Sequence, residues 1–402
     1  MDLPEGAMEE EHAVGTPVLR RLNTASVLRA VRECAPDPIR LAELVKLTGL
    51  TRPTVGQAVE DLVEAGWLQH HHPIAASRKG GRPAVRVSLR GRAAPVLGLD
   101  VGPHTVSAGI DDLAGRRLAA VRRSVDRNRA SRLLTVVDGV IARALEEAGL
   151  EADEIAALVV ATPGIVDAGS GRILLAPSVP GWTSVNLSDH LRDRFRCPVR
   201  VENDANLAAL AVARERAGPG TLLAVQWGER LGAGVVIDGR LHRGTGAAGE
   251  IGFIRPSGRV PDTDDGRGPL ERAIGAEAIA EQARRAAGEH PESALAGGPI
   301  DAAAVFAAAA AGDAVAERVV DDVARTFAHA VAPAVLVLAP DAVVIGGGVA
   351  RAGSVLLTAI TRHLADLTLT PPDVGISGLA EDTILTGALS LALDEVWHQL
   401  PA

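Results

Sequence analysis

Apolar residues recur at three- and four-residue spacing in the first part of the chain and predict short helices. Three segments place their apolar side chains on one face in this way: residues 23–32, 39–47 and 51–65. Thr48-Gly49-Leu50 is predicted to turn between the last two, and Thr51 is a good N-cap for the third helix. A helix, a glycine-containing turn and a second helix predict a helix-turn-helix.

In this motif the second helix of the pair enters the major groove when the domain binds DNA. The spacing places Arg52, Thr54, Gln57 and Ala58 on the exposed face of that helix. Arg pairs with guanine and Gln with adenine through two hydrogen bonds. Arg52, Thr54 and Gln57 are therefore candidate DNA-binding residues.

A β-hairpin with a cationic tip is predicted after the third helix. Residues 67–70 and 84–89 have the pattern of short strands. The connection between them contains Arg78, Lys79 and Arg82 beside two glycines, and such a tip suits phosphates or a narrow minor groove. The segment predicts a winged helix-turn-helix, and a small helical interaction domain with a polar hairpin is the alternative.

The distribution of charge agrees with a DNA-binding end. Residues 17–92 contain 13 Arg and Lys against 6 Asp and Glu, whereas the whole chain carries a net charge of −9. Residues 1–16 contribute −5 and are predicted to be a disordered acidic tail. A basic module joined to an acidic body is the distribution expected when one end of a chain binds DNA.

From residue 96 onward, apolar strands separated by glycine-containing turns follow one another, and the pattern occurs twice. The first set of strands, at 96–101, 105–110 and 117–124, precedes a helix over 131–148, and a second set lies at 222–227, 232–237 and 240–243. The repetition predicts two similar α/β halves. Small ligands usually bind in the cleft between such halves.

Polar residues and glycines interrupt the apolar pattern at three places. Glu202-Asn203-Asp204-Ala205-Asn206 ends a strand and begins a helix, so Asp204 and Asn206 either cap that helix or take part in chemistry. Residues 244–250 form a glycine-rich loop that presents Glu250. Residues 343–349 are a strand that runs into three glycines, where the backbone can approach a phosphate closely.

Two classes of protein are disfavoured by composition. Cys34 and Cys197 are too few for a disulfide framework or a cysteine zinc site. The acidic N-terminus does not resemble a signal peptide, and no stretch of about 18 uninterrupted apolar residues is present. We therefore expect a cytoplasmic protein without a membrane span.

Seven segments, taken in order, resemble the repressor branch of the ROK family of sugar kinases and repressors, from about Leu22 to Leu393. They are the helix-turn-helix with Gly81-Arg82-Pro83, Leu99-Asp100-Val101-Gly102, Thr162-Pro163-Gly164-Ile165-Val166, Pro180-Gly181-Trp182, Glu202-Asn203-Asp204-Ala205-Asn206, Gly246-Ala247-Ala248-Gly249-Glu250-Ile251-Gly252 and Ile345-Gly346-Gly347-Gly348. The resemblance implies a winged helix-turn-helix followed by a two-lobed α/β actin-like ATPase (sugar kinase-like) fold. The predicted parts are a tail (1–16), the DNA-binding domain (17–92), a first lobe (93–200 with 380–402) and a second lobe (201–379).

The same resemblance implies a sugar site. Its predicted ligand-binding residues are Gly164, Asn203, Asp204, Glu250 and Glu271. Asp204 occupies the position of the general base that takes a proton from the sugar hydroxyl in the kinases. Carboxylates and amides suit a sugar because each hydroxyl both donates and accepts hydrogen bonds.

The chain departs from the family pattern at both phosphate loops. Where the kinases have Gly-Gly-Thr, the chain has Gly102-Pro103-His104, and where they have Gly-Thr-Gly it has Gly228-Glu229-Arg230-Leu231-Gly232. Pro103 removes a backbone N–H from the first loop. Glu229 repels a polyphosphate, an effect that Arg230 partly offsets. We therefore expect ATP chemistry to be lost or very weak.

The family's zinc site is also replaced. Phe253 stands at the position of the His, and Asp262, Asp264 and Pro269 stand at those of the three Cys. We expect neither a metal nor a cofactor, and no residue is assigned as catalytic. Because that His is also a sugar ligand in the family, the loss predicts a changed ligand specificity.

The sequence thus predicts a ligand-responsive DNA-binding regulator of sugar-metabolism genes, most simply a repressor. Its expected partners are a double-stranded DNA operator, a sugar or sugar derivative as effector, and further copies of the chain in a homodimer or higher homo-oligomer. One alternative is a sugar kinase with an accessory DNA-binding domain. The other is a DNA-binding protein whose body serves only for dimerisation.

Overall fold

The computed structural model describes most of the chain. The described ranges are 11–71, 85–125, 129–216, 218, 220–256, 266–379 and 382–399, with side chains described from residue 18 onward. Arg78, Lys79, Arg82, Asp262 and Asp264 therefore lie outside the described residues. Among the helices in these ranges, none combines the length and the apolar content needed to cross a bilayer.

The N-terminal domain contains three helices and a three-stranded sheet. Its elements are α1 (Glu11–Cys34), β1 (Ile39–Arg40), α2 (Leu41–Thr48), α3 (Arg52–Glu64), β2 (Leu68–His71) and β3 (Arg86–Leu89). The predicted hairpin is confirmed as β2 paired antiparallel with β3. The two residues of β1, which have no pattern of their own, add a third strand beside β3.

The turn between α2 and α3 forms as its residues predict. Gly49 ends α2 in the left-handed conformation, with φ of 69°. The Thr51 hydroxyl then accepts the Thr54 N–H and caps α3. One detail of the prediction is wrong: Ala58 is buried, because α3 packs on α1 and that contact covers its methyl group.

The first helix is longer than the sequence pattern predicts. We expected a disordered tail over residues 1–16 and a helix from Asn23, but α1 already begins at Glu11. The apolar pattern marks only the part of a helix that is buried, here Val27, Leu28 and Val31. It gives no signal where α1 extends beyond its packing partners.

The body contains two five-stranded sheets of the same topology. In the first, β4 (Val96–Val101), β5 (Thr105–Asp111) and β6 (Arg117–Ser124) are antiparallel, and β7 (Ala157–Thr162) and β10 (Val199–Asn203) run parallel to β4, in the order β10-β7-β4-β5-β6. In the second, β11 (Thr221–Trp227), β12 (Leu231–Ile237) and β13 (Arg240–His242) are joined by β14 (Ala342–Gly346) and β15 (Asp373–Ile376), in the order β13-β12-β11-β14-β15. The predicted duplication of α/β halves is confirmed.

Helices cover both sheets, and a small hairpin lies beside the first. The helices are α4 (Ala130–Ala148), α5 (Leu187–Arg192), α6 (Asp204–Glu215), α7 (Pro269–Ile274), α8 (Ala276–Glu289), α9 (Ala302–Ala310), α10 (Ala314–Leu338), α11 (Ser354–Leu367) and α12 (Thr383–Gln399), and the hairpin strands are β8 (Ile165–Val166) and β9 (Ile173–Leu175). The Asp238-Gly239 turn between β12 and β13 has positive φ at both residues, as a tight two-residue hairpin requires.

Two packed helices join the lobes. α12 lies on β4 and β7 of the first sheet, α6 lies on β11 and β12 of the second, and the two helices pack against each other. One apolar cluster extends from the N-terminal domain through both helices. Because residues 201–203 pair within the first sheet as part of β10, the first lobe extends to Asn203, beyond the predicted boundary at 200.

Candidate functional site

A cleft with a cavity of about 300 Å³ lies between the two sheets. All five residues of the predicted sugar site line it, and we call them the sugar wall: Gly164, Asn203, Asp204, Glu250 and Glu271. The positions of the two phosphate loops line its other part, and we call them the phosphate wall: Pro103, His104, Glu229 and Arg230. Separate stretches of chain thus meet around one space.

Strand direction explains part of this convergence. β4, β7 and β10 are parallel neighbours, so their carboxyl ends meet at one edge of the sheet, where ligands bind in open α/β folds. Asp100 lies near the end of β4, Gly164 follows β7, and Asn203 ends β10. Asp204 then begins α6 at the same edge.

The Asn203 side chain is held from both ends. Its Oδ1 accepts the Asn206 N–H at 3.0 Å and caps α6, while its Nδ2 donates to the Gly164 carbonyl at 2.9 Å. Asn203 caps α6, whereas the sequence pattern named Asp204 and Asn206 for that role. The Asp204 carboxylate accepts the adjacent Ala205 N–H at 2.7 Å and faces the cavity. Capping and ligand binding are therefore divided between neighbouring residues.

Three buried carboxyl groups, two lining the cleft and one beside it, have raised pKa values. Burial raises the pKa of Asp204 to about 6. Burial, together with the charges of Asp204 and Glu271, raises the pKa of Glu250 to about 7. Burial and the charge of Asp204 raise the pKa of Asp100 to about 7. Such shifted carboxyl groups in a cleft are typical of functional sites.

Glycines allow the backbone to hold these side chains closely. Gly164 has φ of 96°, and a Cβ there would lie 2.0 Å from the Leu175 carbonyl oxygen. Gly249 has φ of 90°, and its carbonyl accepts the Ala233 N–H at 2.8 Å, which fixes the neighbouring Glu250 against the second sheet. A side chain at either position would clash with a neighbouring backbone carbonyl and force the loop to shift.

Glu271 has a structural role besides lining the cavity. Its Oε1 accepts the Leu231 N–H at 2.9 Å, and its Oε2 accepts the Gly268 N–H at 2.7 Å at the start of α7. A carboxylate has about four acceptor positions, so two of them remain for a ligand. Glu271 thereby ties the loop after β11 to α7.

A buried ion pair behind the sugar wall has no counterpart in the predicted site. Glu202 accepts the Asn206 side-chain N–H at 2.9 Å and the Asn203 backbone N–H at 3.1 Å through Oε1. Its Oε2 accepts from Arg243 Nε at 2.6 Å. Arg243 begins the loop that carries Glu250, so this pair fixes both halves of the sugar wall. The sequence offers only a charged residue inside an apolar strand as a signal.

Side chains of the phosphate wall lie close to one another and remain largely exposed. His104 of the first loop lies 3.5 Å from Glu229 of the second, measured from Nε2 to Oε2. Arg267 lies 3.4 Å from the other oxygen of Glu229. Arg230 donates to the Gly266 carbonyl at 2.8 Å. The Gly102 N–H donates to the Thr105 carbonyl.

The positions of the family's zinc ligands can be placed in part. Phe253 lines the cavity and is 48% exposed, and Pro269 is the first residue of α7. Across the described ranges, no three His, Cys, Asp or Glu side chains converge as metal ligands would.

The candidate DNA-binding surface is on α3. Arg52 and Gln57 are exposed, while Thr54 is half-buried and bonded to the Thr51 hydroxyl at 2.8 Å. Gln57 Nε2 donates to Asp61 at 2.9 Å, and Arg20 binds the same carboxylate with two hydrogen bonds. These bonds from Arg20 and Gln57 lower the pKa of Asp61. One N–H of the Gln57 amide is thus engaged by Asp61, which leaves the side-chain oxygen and the second N–H for other contacts.

Comparison with known protein families assigns both parts of the chain. Residues 96–395 match the ROK family. Residues 22–72 match the IclR helix-turn-helix domain.

The relatives of this chain include both a kinase and a repressor. The chain is 34% identical over 278 residues to a glucokinase of Halalkalibacterium halodurans, covering 66% of this chain and 84% of that protein. It is 27% identical over 354 residues to the N-acetylglucosamine repressor of Escherichia coli O157:H7, covering 85% and 84%. A crystal structure of a ROK family transcriptional regulator, a homologue of the E. coli MLC protein, shares the fold with a TM-score of 0.76 at 22% identity, covering 95% and 98%.

Proposed function

The chain belongs to the ROK family, and from that premise we propose that it is a cytoplasmic, sugar-responsive DNA-binding transcriptional regulator, a repressor, and not a sugar kinase. One observation supports this most directly. The sugar wall keeps Asn203, Asp204 and Glu250 around the cavity, whereas Glu229 and His104 pair across the phosphate wall. The helix-turn-helix is the part of the protein through which a ligand bound in the cleft would change DNA binding.

The relatives support both parts of the proposal to different degrees. The match to the N-acetylglucosamine repressor covers 85% of this chain, so it extends beyond the ROK match at 96–395 into the N-terminal domain. The glucokinase match covers 66% of the chain and keeps the kinase alternative in consideration. D-glucose and N-acetyl-D-glucosamine are therefore the first two sugars to test as effectors.

The chemistry of the sugar wall suits a polyhydroxyl ligand. Asp204 and Glu250, with pKa values of about 6 and about 7, can exist as acceptors or as proton donors near neutral pH. A sugar hydroxyl can satisfy either form because it donates and accepts. Phe253 offers an apolar ring beside these groups, so we propose that the effector has one less polar or substituted face.

A ligand in this cleft contacts both lobes and thereby favours one angle between them. If the favoured angle differs from that of the DNA-bound protein, ligand and operator change each other's affinity. In a two-fold dimer, the angle also sets the spacing of the two α3 helices. The operator should accordingly be a rough palindrome whose half-sites are separated by whole helical turns.

The experiment is operator footprinting and affinity measurement with the triple variant Arg52→Ala, Gln57→Ala and Arg82→Ala. Each true bidentate base contact should cost about 1–3 kcal/mol of specific binding. The matched control is Arg284→Ala with Arg285→Ala on α8, which removes two positive charges far from α3. If the triple variant protects the same operator with unchanged affinity and salt dependence, the DNA surface is assigned to the wrong helix.

A further inference from the structure

The C-terminal end of α12 contacts the N-terminal domain through Arg32 of α1. The Arg32 guanidinium lies 4.6 Å from the centre of the Trp397 ring, and its NH2 lies 3.3 Å from Asp394 Oδ1. Cation–π contacts of this kind orient an Arg as well as attract it. The last helix of the body thus holds the last turns of α1.

Asp394 is shared between α1 and the cleft. Its second oxygen, Oδ2, accepts from Arg214, which lies in the last turn of α6. The first residue of α6 is Asp204 of the sugar wall. Because an α-helix of 12 residues is a rigid rod of roughly 18 Å, movement of Asp204 along the helix axis also moves Arg214.

A second chain of ion pairs reaches the same end of α12 from the Glu250 loop. Arg243, where that loop begins, binds Glu202 at 2.6 Å. Glu202 lies 3.9 Å from Arg200 on β10, and Arg200 binds Glu395 at 2.6 Å. Glu395 is the neighbour of Asp394 in sequence. Asp204, through α6, and the Glu250 loop, through these ion pairs, are therefore connected to Asp394 and Glu395 respectively.

These contacts lie beside the packing of α6 on α12, the two helices that join the lobes. α12 packs on the first sheet and α6 on the second, so a change in the angle between the lobes slides one helix along the other. Asp394 contacts Arg214 and Arg32 at the same time and so joins the end of α6 to the end of α1. Partly exposed ion pairs add little to the free energy of unfolding. We therefore ascribe to these pairs an effect on the position of α1 and not on stability.

We infer that Asp394 and Glu395 form the junction through which the sugar cleft controls the placement of α1 and hence of the helix-turn-helix. That a sugar in the cleft acts on this junction rests on the proposed function. The two carboxylates are positioning residues, because they contact neither the cavity nor the face of α3. Removing them should uncouple the two ends of the protein and leave each end intact.

The test is hydrogen exchange at the amides of α1 in the full-length protein, without any ligand. Arg243→Gln perturbs the cleft end, and Asp394→Asn with Glu395→Gln removes the junction. We expect Arg243→Gln to speed exchange in residues 25–34 by about threefold in the wild-type background, and by less than about 1.5-fold without the junction. Equal effects in both backgrounds, or no effect in either, would overturn the inference.

Two further variants keep the result interpretable. Arg214→Gln, which breaks the α6 contact directly, replaces Arg243→Gln if that variant does not fold, with the same expected outcome. Glu289→Gln with Asp366→Asn removes two exposed carboxylates from α8 and α11 and is the matched control. The inference requires that this pair leaves the effect of Arg243→Gln at about threefold.

A sugar experiment separates this inference from the proposed function. Operator affinity is measured with and without D-glucose and N-acetyl-D-glucosamine, while calorimetry follows their binding. The variant without the junction should bind the active sugar within about twofold of wild type, yet lose most of the shift in operator affinity. A wild type that binds neither sugar contradicts the proposed effectors alone, because the exchange experiment decides the junction independently.

Discussion

The two walls of the cleft differ in what their polar groups bind. On the sugar wall, Asn203 and Glu271 are fixed by the backbone, whereas Asp204 and Glu250 face the cavity. On the phosphate wall, His104 and Glu229 face each other. The polar groups of the first wall are held by the backbone or face the cavity, whereas those of the second lie within ion-pair distance of each other.

On the proposed function, binding a sugar and phosphorylating it would depend on separate parts of the cleft. Hydroxyl recognition needs amides and carboxylates at fixed positions. Phosphoryl transfer also needs backbone N–H groups and positive charge at the polyphosphate. Pro103 lacks a backbone N–H and Glu229 adds a negative charge on the phosphate wall, so on the proposed function the changes that disfavour phosphoryl transfer lie apart from the sugar wall.

Sugar affinity should show the largest contrast between the walls. Asp204→Ala removes an acceptor that faces the cavity, and we expect the affinity for D-glucose or N-acetyl-D-glucosamine to fall by about 100-fold, or roughly 3 kcal/mol. Glu229→Ala on the other wall should change it by less than about twofold. Calorimetry on both variants checks this. Equal losses of sugar affinity in the two variants would mean that sugar binding is not confined to the sugar wall.

Nucleotide binding should respond in the opposite way. We expect no sugar phosphorylation above background from the wild type with ATP and Mg²⁺. Glu229→Thr with Pro103→Gly removes the like charge and restores an N–H, so affinity for a non-hydrolysable ATP analogue should rise by about tenfold. Measurable turnover by the wild type that disappears in Asp204→Ala would instead establish the kinase alternative.

Stability against pH should give the smallest effect. Asp204, Asp100 and Glu250 have folded pKa values of about 6, about 7 and about 7, all above their unfolded values. The folded state therefore binds more protons than the unfolded state, and stability falls as pH rises from about 5 to about 7.5. Asp61, Asp313 and other groups with lowered pKa have the opposite effect, but only at lower pH.

Thermal unfolding measures this slope directly. The melting temperature of the wild type should decrease by a few degrees across the window, and Glu250→Gln should reduce the decrease. Glu229→Gln, an exposed carboxylate of the phosphate wall, is the matched control. A decrease that is identical in the wild type and Glu250→Gln would show that Glu250 does not titrate in this range.

Local patterns predicted most of the elements. The strands β4 and β6 have the predicted bounds, and the Thr51 cap and the glycine turn before it form as expected. These features depend on side-chain alternation and on capping within a few residues. The resemblance to the ROK family, in turn, identified five residues that the structure places around one cavity.

Contacts between distant segments account for what the sequence did not predict. Ala58 is buried because α1 packs against α3, and β1 is a strand only because β3 lies beside it. The Glu202–Arg243 pair joins residues 41 positions apart, and neither residue has a local pattern that indicates its partner. Such contacts depend on how helices and strands pack against each other, and the spacing of apolar residues along the chain carries no information about that packing.

Short-range periodicity and residue type predicted most of the elements, the duplication and the kinds of chemical group available. Tertiary structure decided which of those groups face a ligand and which face each other. Glu229 and Glu250 are the same amino acid in glycine-rich loops, yet one binds His104 and the other lines the sugar wall. Only the packing of the lobes places α6 and α12 together and brings Asp394 between the cleft and α1.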